Sequence, residues 1–350
     1  MGATPGRPFL FRIPATGAPP LHFSAEGLPE GLALDAPTGM LTGAIAAEGV
    51  SRVEVTVRDA TGATASRTLK IVAAPNSLAQ TPPMGWNSWN IWARDLTADH
   101  VRQAADAMVS NGLAAHGYQY INLDDCWQGE RDANGVLQPN AKFPDMKELI
   151  DYVHGKGLKF GIYSSPGRAT CAGQAGSFGF EAIDAKTYAE WGVDYLKYDW
   201  CSYTEEIHGG TTLEEFILPH RVMGEALAAC GRDIVYSLCQ GGVARVYEWG
   251  PSVGGSLWRT TGDISDTWES MSRIGFAQYP LWPYAGPGRW NDPDMLVVGH
   301  CKWNGPSRLT QDEQVTHITL WSLLAAPLLV GCDLSKLDPF TIDLLCNDEV

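Results

Sequence analysis

Long apolar runs are missing from the chain. No stretch approaches the roughly 20 apolar residues of a membrane-spanning helix, so no membrane span is expected. Basic residues are scarce: Lys and Arg number 25 against 40 Asp and Glu, a formal net charge of −15. A chain so short of cations is unsuited to neutralising a phosphate backbone, which argues against a nucleic-acid partner. No CxxC occurs among the eight Cys and no HExxH pair among the eight His, so neither common zinc pattern is present and no cofactor is expected. The first residues, MGATPGRPFLFRIPATG, lack the apolar core of a signal peptide, and none is read in this chain. Residues 1–75 contain no Trp and no Tyr, the side chains best suited to stacking on sugars.

What is abundant is aromatic and acidic. Thirteen Trp and twelve Tyr suit a ligand with flat apolar faces and polar edges, such as a pyranose, although core packing is the other use of such rings. An apolar fraction of 45% over 350 residues supplies cores for one large domain and a small one.

The boundary between the two is legible in composition. Through residue 75, short apolar alternations such as Val53, Val55 and Val57, then Leu69, Ile71 and Val72, sit among Gly, Pro and Asp, and DAPTGM and RDATGA read as turns. This predicts a small all-β sandwich over 1–75. Its GLPEGLALDAPTGMLTG and VEVTVRDATGATASRTLKI resemble the immunoglobulin-like modules that precede bacterial glycoside hydrolases. Lacking Trp and Tyr, it reads as a spacer rather than a glycan binder. Residues 76–83 read as a linker.

From residue 84 strands and helices alternate, which implies a parallel sheet with crossover helices. Strands are predicted at 84–89 with its loop, 118–123, 158–163, 193–198, 234–238, 256–259, 289–291 and 328–331. Helices are predicted at 98–113 with Thr97 as N-cap, 146–154, 182–191, 213–229, 265–274 and 310–324. Eight strands in about 250 residues match a (β/α)8 TIM barrel, whose chemistry gathers at the strands' carboxyl ends.

Those ends carry polar cargo. VDYLKYDWCSY delivers Lys197, Asp199 and Cys201 after the fourth strand; Trp89 follows the first, Asp124 and Asp125 the second, and Tyr163 the third. Gln240 follows the fifth, Arg259 and Asp263 the sixth, and Asp294 the seventh. Carboxylates from four strand ends with a Lys, an Arg and aromatic rings suit a polyhydroxylated ring. Adjacent Asp124 and Asp125 repel unless each finds donors, either a hard metal ion or sugar hydroxyls, the latter preferred. Glycoside hydrolysis needs one ionised and one protonated carboxyl. Lys197, on the same strand face two residues earlier, is expected to keep Asp199 ionised. The acid is left open among Asp263, Asp292 and Asp294, with Asp263 equally readable as a helix N-cap.

MGWNSW, INLDDCW, GIYSSPG with TCAG and GSFG, WGVDYLKYDWC and RWNDPDML together resemble glycoside hydrolase family 27, the α-galactosidase or melibiase group, over about 81–350. The resemblance implies a retaining exo-glycosidase of terminal α-D-galactosides, with Asp199 the nucleophile and Asp263 the acid/base. It implies sugar contacts from Trp89, Asp124, Asp125, Tyr163, Cys171, Lys197, Cys201, Gln240, Arg259 and Asp294. It further implies a Cys171–Cys201 disulfide, α-galactoside oligosaccharides or polysaccharides as partners, and a secreted or periplasmic location. Asp124 and Asp125 are expected to accept from the 4-OH and 6-OH. Two departures stand out. The Glu-Trp pair common in the family after strand five is here Gln240-Gly241-Gly242, which keeps α-N-acetylgalactosaminidase open as an alternative, with Tyr247 or Trp249 as residues that would refill the gap. The C-terminal β-sandwich usual in the family is missing from 84–350. A β-L-arabinopyranosidase and a silent glycan-binding protein are the remaining alternatives. Cys126, Cys230, Cys239, Cys301, Cys332 and Cys346 are expected as buried thiols.

Overall fold

The computed structural model describes residues 1–207, 209–210, 212–301 and 305–350. The N-terminal part folds as two facing sheets. One holds Gly2–Ala3, Thr64–Ala73, Gly49–Arg58 and His22–Glu26, the other Phe9–Arg12, Met40–Gly43 and Leu32–Asp35. Period-two burial along Gly49–Arg58 turns Val53 and Val55 into a core with Phe11, Phe23, Leu41 and Ile71, leaving Glu54 outside. Both expected turns fall between paired strands; in the second, Asp59 Oδ1 accepts from the N–H groups of Thr61 at 2.9 Å and Ala63 at 3.0 Å.

Eight parallel strands follow: β1 (Met84–Asn87), β2 (Tyr120–Asn122), β3 (Lys159–Ser164), β4 (Tyr195–Asp199), β5 (Val235–Cys239), β6 (Leu257–Arg259), β7 (Trp290–Asp292) and β8 (Leu328–Val330). They run in the order β7-β6-β5-β4-β3-β2-β1-β8. Closure comes just past β7, where Leu296 N–H donates to Leu329 O at 2.8 Å and Leu296 O accepts from Gly331 N–H at 3.0 Å. The chain is therefore the predicted (β/α)8 barrel preceded by an immunoglobulin-like sandwich. Besides single turns at Trp89–Trp92 and Tyr203–Glu206, its helices among the described residues are α1 (Ala98–Ser110), α2 (Met146–His154), α3 (Glu181–Trp191), α4 (Leu213–Ala229), α5 (Val246–Trp249), α6 (Trp268–Phe276), α7 (Gln311–Leu323) and α8 (Pro339–Leu345). Thr97 caps α1 as expected, accepting from His100 N–H. Among the described residues, no helix is long and apolar enough to cross a membrane.

Differences from the sequence-based expectations have local causes. β4 starts at Tyr195 rather than Val193 because Gly192, at φ 99°, ends α3 in a left-handed cap, and Val193 N–H closes that cap on Tyr188 O at 2.9 Å. Helix α6 starts at Trp268, capped by Thr267 accepting from Ser270 N–H, so Asp263 is not its N-cap. A hairpin of Gln128–Arg131 and Leu137–Pro139 follows β2, turned through Asn134-Gly135; that dipeptide was the available signal. Of the six cysteines expected as buried thiols, Cys230 and Cys346 are only partly buried.

The amino ends of the strands form a structural floor. Tyr120, Tyr195, Leu257 and Trp290 fill the barrel interior with Leu78 from the linker, and Trp290 Nε1 donates to Ala79 O at 2.8 Å. The sandwich docks on this floor: Thr4 N–H donates to Asp233 Oδ2 at 2.7 Å, Arg7 Nη1 to Arg232 O at 2.8 Å and Arg12 Nη1 to Lys156 O at 2.8 Å. Asp194 ties the layers together, accepting from Arg232 Nη2 at 2.6 Å, His154 Nε2 at 2.7 Å and Phe160 N–H at 2.9 Å. Burial alone would raise its pKa, but His154, Arg232 and Lys159 hold it below the ordinary carboxylate value. That contribution to stability is present above the unfolded carboxyl's pKa, about 3.9, and is lost as pH falls through the depressed folded value. Asp194→Ala strands a half-buried guanidinium and is expected to cost about 3–5 kcal/mol, read by urea unfolding at pH 7. A loss below about 1 kcal/mol would show that the network is not a structural tie.

Candidate active site

Alternation along β4 turns Lys197 and Asp199 to the same side, into an open cavity at the carboxyl ends of the strands. Trp89, Asp124, Asp125, Tyr163, Cys171, Arg259, Asp263 and Asp294 line the same cavity. Asn90 and Met295 complete its wall; sequence reasoning passed over both, though each adjoins a residue it singled out.

The adjacent carboxylates are separated by their donors. Asp124 Oδ2 accepts from Lys197 Nζ at 2.8 Å and Asn87 Nδ2 at 2.9 Å, while its Oδ1 takes Asp125 N–H at 2.9 Å. Asp125 holds Cys126 N–H at 2.7 Å and Ala172 N–H at 2.9 Å. Burial first, and then the neighbouring Asp124 charge, push the Asp125 pKa up. Each carboxylate keeps lone pairs that hydroxyl donors can use.

Lys197 is thus bonded to Asp124 rather than to Asp199. Burial would lower the lysine's pKa, but Asp124 with Cys239 and Asp199 around it holds it well above the ordinary value. Asp199 Oδ2 accepts from Tyr163 OH at 2.9 Å and its Oδ1 from Trp200 N–H at 2.8 Å. Burial nevertheless outweighs Lys197, the residue expected to keep it ionised, and these two donors, so its pKa lies above the usual carboxylate value. Asp263 is the opposite case. Its side chain is 85% exposed, and although partial desolvation works against it, the charges of Arg259 and Lys197 hold its pKa below the ordinary value. One guanidinium nitrogen, Arg259 Nη2, reaches both Asp263 Oδ1 at 3.0 Å and Asp294 Oδ2 at 3.1 Å. Asp292 does not line the cavity; it is buried, which pushes its carboxyl up to about 6.

Cys171 and Cys201 form a disulfide with Cα atoms 5.0 Å apart, tying the loop after β3 to the end of β4. Their atoms lie beside Asp199, but sulfurs bonded to each other offer no thiolate to a metal. Ser165 Oγ, accepting from Cys201 N–H at 2.8 Å and donating to Cys201 O at 2.9 Å, adds a second stitch.

Comparison with known proteins assigns the lineage. Residues 81–350 match the family model described as alpha galactosidase A (melibiase). The chain belongs to the melibiase family. Residues 1–74 match an Ig-domain model. An alpha-galactosidase of Cyamopsis tetragonoloba is 52% identical over 281 residues, covering 79% of this chain, and the chain spans 65% of that relative's length. A crystal structure from Bacteroides fragilis superimposes with TM-score 0.93 at 41% identity, covering 99% of this chain and 76% of the other. That of alpha-galactosidase I from Mortierella vinacea gives TM-score 0.74 at 37% identity over 79% of this chain and 73% of the other.

Within this melibiase barrel the loop after β5 is distinctive. Gln240 is buried and stands outside the cavity wall, with neither amide atom hydrogen-bonded to the described residues. Gly242, at φ 82°, is required where it is, since a Cβ there would lie 2.2 Å from Thr260 O; one at Gly241 would meet nothing nearer than 3.7 Å. Tyr247 packs on Tyr284 with ring centres 4.7 Å apart, and Trp249, buried against His220, donates from Nε1 to Ala244 O of this loop at 2.9 Å; neither lines the cavity.

Replacing both Cys171 and Cys201 by Ala is expected to cost about 3.5–4 kcal/mol of stability, the loop-entropy value for a crosslink spanning 30 residues. Denaturant unfolding of the two forms checks this; equal midpoints would mean that the serine stitch alone holds the loops.

Proposed function

We propose that this chain removes terminal α-D-galactose from oligosaccharides or polysaccharide side chains, with retention of configuration. The observation that carries the reading is the meeting of Asp199 and Asp263 at one cavity with Asp124, Asp125, Lys197 and Arg259. Asp199, ionised and pinned by Tyr163 OH and Trp200 N–H, attacks the anomeric carbon. As that bond forms, the bond to the leaving oxygen breaks, and the oxygen takes a proton from Asp263. In the second step Asp263 takes a proton from water, whose oxygen attacks the same carbon and frees Asp199. Asp263 is held ionised while exposed. A sugar covering it strips away water, and desolvation favours the protonated acid that the first step needs.

Asp124 and Asp125 are placed to accept from the 4-OH and 6-OH. A buried acceptor left without its hydroxyl costs about 1–3 kcal/mol, enough to separate galactose from its 4-epimer. The disulfide beside Asp199 fits an oxidising compartment, secreted or periplasmic. A second reading, α-N-acetylgalactosaminidase, is favoured by one feature: Gln240, Gly241, Tyr247 and Trp249 all stand outside the cavity wall, so none of them closes it beside the sugar.

Rates on nitrophenyl α-galactoside, α-N-acetylgalactosaminide and β-L-arabinopyranoside separate these readings. The galactoside is expected to be fastest, and Asp199→Asn to lose turnover by orders of magnitude; a faster N-acetylgalactosaminide would favour the second reading, and undiminished turnover in the variant would sink both. The pH profile offers an independent check. Because Asp199 must be ionised and its pKa is raised, activity is expected to fall on the acid side above the pH where an ordinary Asp titrates. Tyr163→Phe deletes a donor to the charged form, so the acid limb of kcat/KM is expected to move up by roughly one unit. An unmoved limb would remove Tyr163 from that role.

A further inference from the structure

Among the described residues lining the cavity, only Asp294 has a positive φ, 88°, a conformation that a residue with a Cβ holds only when its surroundings impose it. Two bonds fix this backbone. Asp292 Oδ1 accepts from Asp294 N–H at 2.8 Å, and Trp321 Nε1 donates to Asp294 O at 2.7 Å. The backbone so fixed aims the Asp294 carboxylate sideways, where Oδ2 takes Ile264 N–H at 2.8 Å and Arg259 Nη2 at 3.1 Å. Ile264 directly follows Asp263, and the same Arg259 nitrogen reaches Asp263 Oδ1 at 3.0 Å. Asp263 itself is exposed and has no other bonding partner among the described residues than this guanidinium. Its placement therefore depends on where Asp294 puts Ile264 and Arg259.

We infer that Asp292, which does not line the cavity, is a positioning residue: its acceptor oxygen holds Asp294 in the left-handed conformation that sets Arg259 and Ile264, and through them Asp263. This rests on the reading of Asp263 as acid/base. Its selective contribution is to proton delivery, because Asp199 is held independently by Tyr163 and Trp200, while Arg259 and Asp294, which also line the cavity, affect substrates with good and poor leaving groups alike.

Proton delivery matters most when the leaving group is a poor one, which provides the readout. In Asp292→Ala, kcat/KM for methyl α-galactoside is expected to fall about 10- to 100-fold, part of what a general acid contributes. For dinitrophenyl α-galactoside, whose leaving group needs little protonation, the fall is expected to be a few-fold, roughly the residual effect of a displaced acid. Asp292→Asn keeps an oxygen for Asp294 N–H and should restore the wild-type ratio between the two substrates. Trp321→Phe, which removes the other hold on Asp294, should show the same selective loss and carries the test if Asp292→Ala does not fold. Equal losses on both substrates in the folded variants, or an Asp292→Asn as selective as Asp292→Ala, would overturn the inference. Asp263→Ala is the control: if it lacks the selective loss, the acid/base reading fails and this inference with it, whereas selective loss there and none at Asp292 or Trp321 defeats the inference alone.

Discussion

Charge balance at the mouth of the barrel is the constraint from which the rest of the site follows. Among the described residues, five carboxyl groups, Asp124, Asp125, Asp199, Asp263 and Asp294, meet there with two cations, Lys197 and Arg259. Carboxylates at this density repel strongly in a partly desolvated setting, so each must be given donors. The two cations divide the task. Lys197 serves the Asp124 side and Arg259 bridges Asp263 to Asp294, while backbone N–H groups and Tyr163 supply what remains. Since neither cation bonds directly to Asp199, that carboxyl is left with neutral donors and burial, and its raised pKa is the consequence.

Side-chain partners of this kind were the least legible part of the chain. The strand-end cargo could be read because a polar residue that closes a buried apolar run must leave the core at that point, and Lys197, Asp199 and Arg259 stand at or beside strand ends. Helices α2 and α4 start at the predicted bounds because Asp145 and Thr212 cap them, Thr212 with Glu215 in a full capping box. What a linear reading cannot show is which of two carboxylates a lysine chooses. Strand alternation put Lys197 and Asp199 on one side correctly, but the nearer acceptor came from β2, 73 residues away. Asp263 was ambiguous for the same reason. A cap and a catalytic carboxylate look alike in sequence, and only the position of Thr267 at the start of α6 decides against the cap.

The cap at Gly192 carries a wider lesson about strand starts. A left-handed Gly ending a helix recruits the next N–H to close the turn, so the following residue belongs to the helix's hydrogen bonding even when its side chain favours a strand. Val193 is such a residue, and β4 begins two residues later; at its other end, pairing with β5 runs on through Asp199. A carboxylate that still belongs to the ladder is held by strand register, and Asp199, the proposed nucleophile, lies opposite Cys239 of β5 and not in a loop.

The two ends of the barrel divide stability from chemistry. At the floor, Asp194 gathers Arg232, His154 and the β3 backbone, the sandwich hooks onto Arg232, Asp233 and Lys156, and Leu78 and Ala79 pack against the barrel's interior rings. At the mouth, by contrast, the strained Asp294 backbone, the exposed Asp263 and the closely spaced carboxylates all favour disorder locally. Such a mouth keeps its shape only because the layers beneath it are tied, and β7 shows how: Asn291 is locked by Trp258 Nε1 at 2.9 Å and by its own donation to Leu281 O at 2.7 Å. The next residue, Asp292, then begins the turn that sets Asp294. Rigid packing outside the barrel thus passes, through one β-strand, into the conformation of a cavity wall.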